Sequence, residues 1–188
     1  MSEIFLLRHR EIPGLNQLKT YTANGGFETW MQVVKTGKPA DVVQTVKDSG
    51  LRGRGGAGFP TGVKWSFLPN NIWPHYVVAN ADESEPGTFK DREILELNPF
   101  QFLEGLMMAS FAVQANDSYI YFRGEFSEIY RKMQDRILEL EKKGSWVRSY
   151  SEQITRCICI QFWVQAPISA VRKPLCSSPL RDAWVNPA

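Results

Sequence analysis

Two short runs rich in β-branched and aromatic residues, 76–79 (YVVA) and 118–122 (SYIYF), flank a segment with scarcely any polar face. In that segment Asn98 can cap and Pro99 can start a helix, and Phe102, Leu103, Leu106, Met107, Ser110 and Phe111 follow at helical spacing. An apolar run without alternation reads as a strand covered on both faces, the kind from which parallel sheets are built. A second helix is expected from a capping Ser127 to Lys142, because Tyr130, Met133, Ile137 and Leu140 recur at intervals of three and four. The order strand, helix, strand, helix demands a crossover connection, which is right-handed in nearly all sheets. The fold class is therefore α/β with a parallel sheet.

Upstream the pattern is helical, then abruptly rich in glycine. Gly25 and Gly26 precede 27–35, where Trp30, Val33 and Val34 share helical spacing. Pro39 opens 40–48, with Val42, Val43 and Val46 on one face and Gly50 just past the end, a Pro-start, Gly-stop helix. From its end hangs 49–65, SGLRGRGGAGFPTGVKW. Glycine loses the most entropy on ordering, so such a run marks backbone that must curl tightly or meet a ligand directly. Gly53, Gly55 and Gly58 satisfy GxGxxG, but that fingerprint should follow a strand and open a helix, and this one follows a helix. What the loop does supply is exposed backbone N–H groups beside Arg54 and Lys64, which suits a phosphate or a flavin ring laid against backbone. A flexible loop with solvated arginines would need no Phe, Pro and Trp around it. Reading RGRGG as an RNA-binding box needs repetition, and the box occurs once.

A second cluster, 79–92 (ANADESEPGTFKDR), places Asn80, Asp82, Glu83 and Glu85 immediately after the first strand, at the carboxyl edge where open α/β sheets bind ligands. From the residues alone, two readings stay open: a divalent cation held through oxygen, or a solvated turn around Pro86 and Gly87. Phe59 and Phe67 flank the glycine loop and read as core anchors. His9 and His75 have no companion acid or nucleophile at a telling spacing and read as structural or exposed. Against 20 Asp and Glu stand 22 Lys and Arg, and a net charge of +2 is too small to imply a polyanionic partner, so nucleic acid is not expected. No apolar run approaches bilayer length and no leader pattern opens the chain, so a cytoplasmic protein without membrane insertion is expected. Cys157, Cys159 and Cys176 are one ligand short of a usual metal or cluster site, with no histidine nearby.

The strings 49–65 and 79–92, with WSFLP at 65–69 between them, resemble the family of NADH- and FMN-binding subunits of respiratory complex I, whose relatives serve NAD-linked hydrogenases and formate dehydrogenases. The resemblance runs from about Gly14 to about Gly144. It implies N-terminal helices (1–50) leading into a partial Rossmann-like parallel sheet, an incomplete FMN- and NADH-binding domain (51–144). It implies that Gly53, Arg54, Gly55, Lys64, Asn80, Asp82 and Glu83 cradle FMN, while Phe59 and Phe67 form an adenine slot and Glu85 faces the nicotinamide nucleotide of NADH. Hydride would pass to FMN and electrons onward to iron-sulfur clusters and quinone. The partners would be NADH, FMN and other peripheral-arm subunits at the cytoplasmic face of the inner membrane. The [4Fe-4S] ligands of the intact family are absent from this chain. A diaphorase subunit of a hydrogenase or formate dehydrogenase, or a non-catalytic nucleotide-binding remnant, are the alternatives.

Beyond the second helix the family continues with a segment close to GAGAYICGEETALLESLEG, whereas this chain reads WVQAPISAVRKPLCSSPLR at 163–181. Joining the last base of each codon to the first two of the next restores the segment. Trp163 with Val164 forces Gly, Ser169 with Ala170 permits Cys, Leu180 with Arg181 permits Glu, and every other position is likewise permitted. Trp146 with Val147 again forces Gly. This implies a reading-frame shift at 142–146, with 145–188 an out-of-frame, non-family tail. Because its apolar residues follow no sustained period, the tail from Trp146 is expected to have no packed relation to the α/β unit.

Overall fold

Three parallel strands in the order β1-β2-β3 carry the molecule: β1 Tyr76–Ala81, β2 Asp117–Arg123 and β3 Arg156–Phe162. In this computed structural model the described residues are 9, 11–54, 56–69 and 71–142, with the backbone of β3. Register runs from Tyr76 opposite Asp117 to Ala81 opposite Phe122, and from Asp117 opposite Arg156 to Arg123 opposite Phe162. Four helices precede the sheet: α1 (Leu18–Ala23), α2 (Glu28–Thr36), α3 (Pro39–Asp48) and α4 (Thr61–Trp65). Between β1 and β2 lie α5 (Lys90–Leu97) and α6 (Pro99–Ala112), and after a 3-10 turn at Gly124–Phe126 comes α7 (Ser127–Lys142). The expected α/β unit with a parallel sheet is present.

Packing follows the strand alternation. On β2, Ser118, Ile120 and Phe122 are buried, and on β1 Ala81 is buried with Val77 and Ala79 packed beside it. Against them lie Phe100, Leu103 and Leu106 of α6 and Ile129, Met133, Ile137 and Leu140 of α7. Burying each such side chain stabilises by roughly 1.5–3 kcal/mol, so this single face holds the unit together. The all-apolar reading of α6 is thereby explained, since it sits between the sheet and the N-terminal helices. The two-sided burial expected of 76–79 is corrected: Tyr76 is 51% and Val78 63% exposed. Helices cover one face of β1, and no described residue buries the other at these positions.

The tail expectation is also corrected in part. Residues 156–162 form β3, which pairs along its whole length with β2. The run Arg156–Phe162 (RCICIQF) is β-prone in composition, and β2 would otherwise present an open edge of unpaired N–H and C=O groups. The rest of 143–188 lies outside the described residues, as do Cys176 and the 163–181 segment.

The expected caps differ in detail. Asn98 precedes Pro99 at the start of α6 but makes no side-chain cap bond; its amide donates to Gln101 Oε1 instead. Ser127 is the first residue of α7, and its hydroxyl donates back to Gly124 O at 3.0 Å. Helix α2 starts at Glu28 because Phe27 takes a left-handed φ of 64°. Its missing cap comes from α6: Glu104 accepts from the Phe27 amide at 2.9 Å, the Trp30 amide at 3.3 Å and the Tyr21 hydroxyl at 2.6 Å. A carboxylate is well placed at the positive end of a helix. Gly26 is required there, since a Cβ would stand 2.2 Å from the Tyr21 ring.

Candidate functional site

The glycine loop is held at its base and open at its tip. Helix α3 ends at Asp48, and Gly50 takes a φ of +66°, turning the chain out of the helix. The loop then closes on itself: the Thr61 amide donates to Leu51 O at 2.8 Å and the Gly53 amide to Phe59 O at 3.0 Å. Gly58, at φ +64°, makes the return turn, and the Arg52 guanidinium donates to its carbonyl at 3.3 Å. The α4 that follows is pressed onto α3 at Gly62, where a Cβ would lie 2.6 Å from the Lys47 amide nitrogen. A glycine is needed for that crossing.

At the tip, a Cβ built on Gly56 would meet nothing within 4 Å, so this backbone can be approached directly. Arg54 and Lys64 are exposed and form no ion pair among the described residues. Phe59 and Phe67 are 48% and 67% exposed, with ring centroids 5.9 Å apart. They are not the core anchors that their apolar character suggested. Gly55 lies outside the described residues.

The acidic cluster forms the loop leaving the carboxyl end of β1. The Asn80 side-chain Oδ1 accepts from the Asp82 amide at 2.9 Å, and the NH2 group of this exposed residue remains a donor. Asp82 is half-buried and accepts a short hydrogen bond from Ser84. Glu83 is different, being only 5% exposed. Its carboxylate accepts from the Asp91 amide at 2.9 Å and the Arg92 amide at 3.3 Å, which caps α5. Glu85 is exposed and its carbonyl closes a turn with Thr88 at 3.2 Å, with Gly87 at φ +80°. Among the described residues, no group of three or more His, Cys, Asp or Glu could hold a metal ion.

Two residues at this edge went unnoticed in the sequence. Tyr121 sits opposite Asn80 in the sheet register, and burial followed by the negative charge of Asp82 raises its hydroxyl pKa. Arg123, at the end of β2, donates to Glu83 O at 2.5 Å and forks onto Glu125 with two 2.8 Å bonds. Those bonds to Glu125 raise the arginine further and hold the Glu125 carboxyl down at about 2. The period of two along SYIYFR, which puts Tyr121 and Arg123 on the face of Asn80, could have found both.

His75 is buried, with Nδ1 2.7 Å from Val113 O and Nε2 3.1 Å from Pro69 O, and its ring stacks on Trp73. That is a structural role. A cleft of about 470 Å³ lies away from both loops, lined by Tyr21, Gly26, Thr29, Gln101 and Glu104. No helix among the described residues is long and apolar enough to cross a membrane.

Helix α6 links the two clusters, contacting α3 on one side and β1 and β2 on the other. Against known proteins, the family model described as the Nuo51 FMN-binding domain matches residues 46–171, well over half of the chain and past Gly144. An NADH-quinone oxidoreductase subunit of Rhizobium meliloti (strain 1021) is 46% identical over 145 residues, 77% of this chain and 34% of its own length. Its counterpart in Aquifex aeolicus (strain VF5), likewise an NADH-quinone oxidoreductase subunit, is 45% identical over 139 residues, 74% of this chain and 32% of its own. Among solved structures, an NAD+-reducing [NiFe]-hydrogenase in the H2-reduced state superposes with a TM-score of 0.60 at 34% identity, covering 69% of this chain and 22% of that one. The chain thus spans about a third of the length of the curated relatives it matches.

Proposed function

Since the chain belongs to the Nuo51 FMN-binding domain family, we propose that it binds FMN between the glycine loop and the Asn80–Glu85 edge and accepts hydride there from NADH. The observation that carries the reading is the uncovered backbone at Gly56 in a loop that carries the exposed Arg54, followed by the exposed Lys64 on α4. A flat, anionic cofactor needs that combination, and the residues present fit it. Bound FMN would supply hydride acceptance and single-electron release, the chemistry that side chains lack.

The protein's part is to bind and orient. Gly53, Arg54, Gly55 and Lys64 would meet the phosphate and ring from the loop side. The Asn80 amide would donate to, and Asp82 accept from, the ring edge and ribityl hydroxyls. Phe59 and Phe67, exposed and 5.9 Å apart, would hold the adenine of NADH, with Glu85 near the nicotinamide nucleotide. Glu83, buried under α5, would support this edge from behind.

The electron acceptor would be an iron-sulfur chain leading to quinone in a complex I peripheral arm at the cytoplasmic face of the membrane. The hydrogenase likeness favours a second reading, a diaphorase that passes electrons to a hydrogenase. The frame shift read at 142–146 would make the tail beyond 145 an out-of-frame product, a reading that must meet the family match through residue 171 and the pairing of 156–162 with β2. Sequencing the gene across the codons for 142–146 tests it, and this chain alone is expected to reduce neither quinone nor ferredoxin.

Flavin binding is tested by titrating this chain and its frame-corrected form with FMN and following the quenching of flavin fluorescence. Arg54→Ala should weaken binding by about 1.5–3 kcal/mol, the scale of a charge-assisted hydrogen bond. Asp82→Asn should also lower affinity while leaving the melting transition in place. Unchanged affinity in both variants would remove the flavin from this site.

A further inference from the structure

Behind the acidic loop lies a closed circuit of contacts. The Glu83 carboxylate caps α5 through the amides of Asp91 and Arg92. The Arg92 guanidinium lies over the buried Phe126 ring at 5.4 Å, and Arg123 lies over the same ring at 5.8 Å. Arg123 returns to the start by donating to the Glu83 carbonyl, while Glu125 fixes its remaining edge through two bonds. One residue, Glu83, is thus gripped by both its side chain and its backbone, from two different elements.

We propose that Arg123, with Glu125 as its anchor, is a positioning residue that sets the conformation of the loop 80–85 and thereby its affinity for a flavin. The inference rests on the flavin reading for its second half only. The geometry gives the reason. Asn80 and Asp82 are exposed or half-buried, and their side chains are held locally, Asn80 by the Asp82 amide and Asp82 by the Ser84 hydroxyl. Their presentation to a ligand therefore depends on where Glu83, the residue that follows Asp82, is fixed. A planar guanidinium can fork onto Glu125 and still direct a third N–H at a carbonyl, which an ammonium on a flexible stem cannot hold in one geometry. Pre-organisation of this kind lowers the cost of binding by removing loop disorder in advance.

The test uses the full chain and the variants Arg123→Gln, Arg123→Lys and Glu125→Gln, with Asp82→Asn as control. Amide hydrogen exchange is read over 80–88 and over α6 without ligand, and FMN affinity is read by fluorescence. Arg123→Gln should speed exchange at 80–88 and leave α6 unchanged, and should weaken FMN by at least about tenfold, the scale of one charged hydrogen bond. Arg123→Lys should fall between it and wild type, and Asp82→Asn should weaken FMN with loop exchange unchanged. Should Arg123→Gln fail to fold, Glu125→Gln, altered only at an exposed side chain, must show the faster loop exchange. If wild type itself does not bind FMN, the flavin reading fails, while the exchange comparison still decides the positioning claim. Loop exchange equal to wild type in Arg123→Gln or Glu125→Gln would overturn it, as would faster exchange with full FMN affinity.

Discussion

Replacing Glu104 by alanine should destabilise the chain by about 3 kcal/mol, the net worth of a carboxylate accepting three hydrogen bonds, discounted because the side chain is only half-buried. The bonds lost are those from the Phe27 and Trp30 amides and the Tyr21 hydroxyl, at 2.9, 3.3 and 2.6 Å. Each would be worth about 1.5–3 kcal/mol alone, but water can reach part of the site and the three are not additive. The first two also supply the cap that α2 lacks, since Phe27 at its N-cap makes no side-chain cap bond, and a lost cap costs about 1 kcal/mol. Glu104→Gln keeps one acceptor oxygen and should cost about half as much, and Tyr21→Phe removes one donor only, for roughly 1 kcal/mol. Urea unfolding followed by far-ultraviolet circular dichroism measures all three, and the double variant Tyr21→Phe/Glu104→Ala gives the coupling. If Glu104→Ala lay within about 0.5 kcal/mol of wild type, the range of a featureless surface change, the trans cap would contribute nothing and the reasoning would be wrong.

Three further outcomes are expected. Gly62→Ala should loosen α4 from α3, because the added Cβ would lie 2.6 Å from the Lys47 amide nitrogen; overpacking of this kind costs about 1–3 kcal/mol, and faster proteolysis of the 49–65 loop would register it. Burial first, then the hydrogen bond and charge of Glu104, push the Tyr21 hydroxyl well above its usual 10.0. A raised tyrosine contributes stability that is fully present below pH 10.0 and is lost as pH rises beyond it, so unfolding midpoints should fall in alkali in wild type and much less in Tyr21→Phe. Ile120→Ala should cost about 2–5 kcal/mol while Val78→Thr stays within about 0.5, a contrast that equal losses in thermal melts would erase.

The sequence by itself determined the parallel α/β unit. The runs at 76–79 and 118–122, the apolar α6 and the period of α7 each state a local preference that agrees with the whole, which is why they could be read without coordinates. It also determined the chemistry on offer, because glycine density and cationic side chains are facts of composition at one place in the chain. Tertiary structure decided what those residues are free to do. Glu83 and Asp82 are adjacent carboxylates, yet one is spent on the amides of α5 while the other is half-buried and accepts from the neighbouring Ser84 hydroxyl, and nothing in the string ADESE distinguishes them. Phe59 and Phe67 looked like core anchors and are exposed, while β1 looked two-sided and is covered on one face. Arg123 and Glu104 act on partners 40 and 77 residues away, and a long-range hydrogen bond leaves no periodic trace in a sequence. Periodicity records which side chains leave water; which polar group meets which is fixed only when separate elements pack.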